Sequence, residues 1–106
     1  MKGLWHYWVH WRPTFWDDMT DAEDAALGPH SDYVGQLYDQ GLVVLGGAVS
    51  EPPGGVVFFY ADGRDEAEAI MKADPLYSSG IVEITLHEFR AGFVGGTSHD
   101  FRTAVD

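Results

Sequence analysis

Residues 3–11, GLWHYWVHW, carry two interleaved sets of side chains: Leu4, His6, Trp8 and His10 alternate with Trp5, Tyr7, Val9 and Trp11. A period of two predicts a β-strand that presents one set to each face of a sheet. Arg12-Pro13 ends it, and 14–20 read as a loop. Thr20 with Glu23 fits a capping box that opens a helix through Leu27. Gly28-Pro29 then either kinks that helix or starts another with Pro at its first position. Tyr33, Val34, Leu37 and Tyr38 continue one apolar stripe, which Gly41 stops. Leu42 to Leu45 form an apolar strand leading into Gly46-Gly47. After the turn Glu51 to Gly55, residues 56–61 form another strand. A second helix over 64–73 has Ala67, Ile70 and Met71 on its apolar face. Asp74-Pro75 and a short turn through Tyr77, Ser78 and Ser79 reach Gly80. A last strand over 81–89 alternates Val82, Ile84 and Leu86 with Glu83, Thr85 and His87.

The element order β-α-β-β-α-β predicts an α+β fold, the ferredoxin-like split βαβ arrangement with a four-stranded antiparallel sheet. Both helices should cover one face. The other face carries His6, Trp8, His10, Glu83, Thr85 and His87, a mixed polar and aromatic set that suits neither solvent nor a monomer core. A second copy packed sheet to sheet, with a cleft left between, meets both conditions, so a homodimer is expected. Residues 1–91 make the domain. Residues 92–106 read as a Gly-rich tail, mobile or wrapped on a partner.

Composition narrows the function. With 106 residues there is one domain. Its 45% hydrophobic and 14% aromatic content favours a folded core over disorder. Seventeen carboxylates against six Lys and Arg give a formal charge of −11. That sign repels phosphate backbones and anionic headgroups, which argues against nucleic-acid and membrane partners. No apolar run reaches the ~20 residues that span a bilayer, and the first residues do not read as a signal peptide. Without cysteine there is no disulfide or thiolate chemistry. A cytoplasmic protein with no cofactor is the expectation.

The candidate chemistry centres on His30 and Asp74. An imidazole with an ordinary pKa of about 6.5 takes and gives protons near neutrality; the competing reading is a helix-surface histidine that packs locally. Asp74 can orient that imidazole or hold a substrate hydroxyl. It can also simply cap the turn before Pro75. The geometry poses a difficulty, because with parallel helices Asp74 belongs near the far end of the first helix. His30 lies ten residues before that end, ~15 Å at 1.5 Å per residue. A metal site at His6 and His10 with His87 is disfavoured, since i and i+4 on a strand lie ~13 Å apart and zinc ligands converge to about 2.1 Å. His6, Trp8 and His10 are instead expected to line a cleft, where Trp8 stacks on a flat substrate. The tryptophans at 5, 8, 11 and 16 read as core and dimer contacts, and the Gly-Gly pairs do not open helices as phosphate loops do.

Taken together, these residues resemble the YCII-related family over about residues 3–91. The likeness rests on His30 with its helix running into Gly41, the strand ending in Gly47, Asp74-Pro75 followed by Tyr77 and Gly80, and the strand ending in Phe89. It implies a small dimeric α+β barrel whose active-site residues are the His and the Asp of Asp-Pro. Some relatives eliminate or isomerise small ring compounds without a cofactor. The chain departs from the family pattern at Leu27, where a basic residue is common, at Ala48, where Pro is common, and at Leu76, which delays the aromatic to Tyr77.

The resulting expectation is a cofactor-independent acid–base enzyme, isomerase or lyase in type, acting on a small aromatic or lactone-like molecule. His30 shuttles the proton, Asp74 orients or stabilises it, and His6, Trp8, His10 and Tyr77 bind the substrate. The rivals are a cofactorless oxygenase, a haem-binding barrel, and a non-enzymatic ligand-binding or dimerisation module.

Overall fold

The computed structural model describes residues 2–95; most of the expected tail lies outside them. Strands β1 (Gly3–His10), β2 (Val43–Val49), β3 (Gly54–Ala61) and β4 (Glu83–Glu88) form one sheet in the order β2-β3-β1-β4. All neighbouring pairs are antiparallel. Helices α1 (Asp21–Asp39), α2 (Arg64–Ala73) and the short α3 (Pro75–Ser79) complete the expected ferredoxin-like α+β fold.

The alternation in β1 decides which face is which. Trp5, Tyr7, Val9 and Trp11 are buried with Val57, Phe59, Ala67, Met71 and Leu76 in one core. Each large apolar side chain so buried is worth about 1.5–3 kcal/mol. The other phase runs along the outer face, where His6 pairs with Phe58 on one side and His87 on the other. There the His6 ring lies against Phe58, His87 and Phe89, and Trp8 stacks on His10. His10 Nε2 meets Thr85 Oγ1 at 3.1 Å.

The capping box forms as expected. Thr20 Oγ1 accepts from the Glu23 backbone N–H, and the Glu23 carboxylate accepts from the Thr20 N–H. Arg12 clamps the same carboxylate, Nε on Oε2 and Nη2 on Oε1, both at 2.9 Å. This guanidinium, then the backbone of Thr20, holds the Glu23 carboxyl down at about 2. The chain is thereby fixed where it enters α1.

Two boundaries differ from expectation. α1 runs unbroken through Gly28-Pro29. Pro29 removes one helical donor, but Pro29 and Ala25 are both exposed, so water can take the place of that hydrogen bond at the Ala25 carbonyl. The second strand also continues through Gly46-Gly47 to Val49, because its ladder with β3 spans these glycines. Gly41 and Gly80 end their helices at φ 78 and 72, the left-handed region that favours glycine.

A candidate acid–base site

Asp74 sits at the joint between two helices. It follows the last residue of α2 and is the N-cap of α3, with extended backbone angles (φ −65, ψ 127) that turn the chain. Its side chain is fully buried. Three donors meet its two oxygens. Oδ1 accepts from the Leu76 N–H at 2.9 Å, while Oδ2 accepts from the Tyr7 hydroxyl at 2.7 Å and faces His30 Nδ1 at 2.7 Å. An ionised carboxylate has the lone pairs to satisfy all three, and it fixes the Nδ1–H tautomer of His30.

The contact that helix geometry alone left open is therefore made: His30 and Asp74 touch. The reason is the packing of α3. The short α3 packs on both α1 and α2, so the chain folds back after α2 and carries the Asp74 joint against the middle of α1. Tyr33, one turn after His30, donates to the Ile70 carbonyl at 2.7 Å and pins the two helices at this level. The capping reading of Asp74 is also true, because Oδ1 caps α3 while Oδ2 serves His30 and Tyr7.

His30 is half-buried, and its ring lines a cavity of about 350 Å³ between α1 and the sheet. With Nδ1 committed to Asp74, Nε2 is the nitrogen left to meet a ligand. Around it stand Val9, Trp11, Trp16, Leu27, Val34 and Val57, and the floor is lined by Gly46, Gly47, Gly54 and Gly55. Register explains the space. Gly46 faces Val57 and Gly55 faces Val9, both on the helix side of the sheet. Side chains that would fill the layer below α1 are thus missing. Among the described residues His30 is the one ionisable group of this lining, with the Ser31 hydroxyl beside it.

The other expected binding residues lie elsewhere. His6, Trp8 and His10 occupy the opposite face of the sheet from the cavity, and Tyr77 is exposed on α3. Burial, then the nearby His87, lowers the His6 imidazole below its usual value. Among the described residues, no three His, Asp or Glu side chains converge as a metal site. Sequence reading missed Tyr7, whose position on the core-facing phase of β1 was the available signal: a tyrosine buried there needs a partner for its hydroxyl. It also missed Trp16, Leu27 and Val34 as cavity walls.

The YCII-related domain matches residues 6–89. The chain belongs to the YCII-related family. Within this YCII-related protein, the matched span holds His30, Asp74, Tyr7 and the cavity walls. No curated protein sequence matches the chain. Among solved structures its fold is similar to that of 5-chloro-2-hydroxyhydroquinone dehydrochlorinase (TftG) from Burkholderia phenoliruptrix AC1100, in complex with 2,5-dihydroxybenzoquinone. The TM-score is 0.60 at 14% identity, over 92% of this chain and 99% of that one.

Proposed function

We propose that this protein is a cofactor-independent acid–base enzyme, a lyase or isomerase, acting on a small aromatic or lactone-like molecule. The observation that carries the reading is the buried Asp74 carboxylate bonded to a histidine whose ring lines an apolar cavity. Nε2 of His30 takes a proton from an acidified C–H or O–H of the ring compound. Asp74 stabilises the imidazolium so formed, and the same nitrogen returns the proton to a neighbouring atom or leaving group. The apolar walls keep water from competing. With no Lys or Arg among the described residues of the lining, an uncharged, flat ligand suits the cavity better than an anion. The fold-level likeness to a dehydrochlorinase of a hydroxylated ring agrees with this substrate class.

A homodimer belongs to the same proposal. The outer sheet face joins Leu45, Phe58, Tyr60, Trp8 and Phe89 into an aromatic and aliphatic surface, of which Leu45, Tyr60 and Phe89 are exposed. A second copy packed on this face would cover it, with His6, Trp8 and His10 lining the cleft between the sheets.

The test is a panel of halogenated hydroquinones, hydroxyquinones and unsaturated lactones, with binding followed by chemical-shift change and turnover by absorbance. For a compound that is turned over, His30→Gln should cut the rate by about 10²–10⁴ while binding persists. Ligands that bind at the cavity with no turnover of any panel member would favour a binding module instead.

A further inference from the structure

The acid–base pair accounts for one of the two donors on Asp74 Oδ2. The other is the hydroxyl of Tyr7, which comes from the centre of β1, is fully buried, and lies 2.7 Å from the oxygen that His30 also contacts. A buried tyrosine can satisfy its hydroxyl with any backbone carbonyl. Here it is spent on the same oxygen that orients the histidine. Burial, then Asp74, raises the Tyr7 phenol far above its ordinary value, so it stays an O–H donor throughout the range in which an imidazole titrates. Among the described residues, the other ionisable group close to this carboxylate is Tyr33 of α1, whose hydroxyl is spent on the Ile70 carbonyl.

We propose that Tyr7 is a positioning residue that sets the basicity of His30 through Asp74, forming a Tyr7–Asp74–His30 relay. Its hydroxyl draws negative charge from Oδ2, which weakens the hold of the carboxylate on the imidazolium and eases return of the proton to the ligand. It also fixes the rotamer of Asp74, because with Leu76 on Oδ1 the carboxylate cannot turn without breaking two bonds. The functional meaning rests on the acid–base reading above; the physical coupling does not.

The experiment is a ¹H–¹⁵N titration of His30 in the wild type, in Tyr7→Phe, and with 3-fluorotyrosine, a stronger donor, at position 7. Losing the hydroxyl should move the midpoint of the His30 titration upward by about half to one pH unit, a threefold to tenfold change in the protonation equilibrium. The stronger donor should move it downward. If Tyr7→Phe folds poorly, the downward displacement with fluorotyrosine carries the test alone, since the fluorinated side chain keeps the ring and its hydrogen bond. An unchanged midpoint with fluorotyrosine, or displacement of both in one direction, would overturn it. If the midpoints move as expected but no panel compound is turned over, the relay stands and the enzymatic reading fails.

Discussion

Asp74→Ala removes one acceptor and leaves three donors facing an apolar gap. The Tyr7 hydroxyl and the Leu76 N–H, on residues with no exposure, cannot turn to water. His30, half-buried beside the cavity, can. Two stranded buried donors at about 1–3 kcal/mol each give an expected loss of roughly 2–6 kcal/mol, with the lost cap of α3 included in the Leu76 share. For a domain of this size that is a fall in Tm on the order of 10–20 °C or more. Urea unfolding followed by tryptophan fluorescence reads the loss directly. Tyr7→Phe/Asp74→Ala supplies the control, because it deletes donor and acceptor together. The double variant should be less destabilised than the sum of the singles, by about 1–2 kcal/mol. A loss below about 1 kcal/mol in Asp74→Ala, or strict additivity in the cycle, would refute the claim that this carboxylate is bound by its three donors.

Gly55→Val should fill the cavity and abolish ligand binding with stability unchanged or raised, since a Cβ there meets only the Gly47 carbonyl at 3.5 Å; retained ligand affinity in calorimetry would place the site elsewhere. Gly54→Ala should be poorly tolerated, because its Cβ would stand 2.5 Å from the Val9 carbonyl oxygen, and a wild-type melting temperature would contradict the register. Sedimentation should show a dimer that Leu45→Glu dissociates, and a monomeric wild type would remove the sheet-to-sheet assembly. The Glu23 carboxyl is depressed in the folded state, so its stabilisation is present above about 4.5 and lost as pH falls toward about 2. Glu23→Gln should flatten that acid limb in a pH series of unfolding curves. Tyr7 is raised, so its contribution is full below pH 10.0 and is lost above it; Tyr7→Phe should lessen the alkaline decline.

The fold was legible because β1 writes its two faces in strict alternation and α2 occupies the expected 64–73. The same alternation placed His6, Trp8 and His10 on the face away from the helices. His30 and Asp74 could be chosen by residue type and by family likeness, yet their contact could not be read from spacing. It depends on how α3 folds back onto α1, a tertiary quantity set by packing of Leu76 and by the Tyr33 bond to α2 rather than by periodicity. The cavity was illegible for a related reason. Gly46 and Gly55 look like turn residues in the sequence, and only the strand register shows that both face α1. Continuation of α1 through Pro29 likewise depends on Ala25 being exposed.

The central claim is that Asp74 holds His30 with its proton on Nδ1 and a bare Nε2 for the ligand. Multiple-bond ¹H–¹⁵N spectra of the neutral imidazole distinguish the tautomers in the folded protein. The account predicts the Nδ1–H form in the wild type and its loss in Asp74→Ala. A wild-type His30 carrying its proton on Nε2 would contradict it, because that ring has no base to offer the cavity.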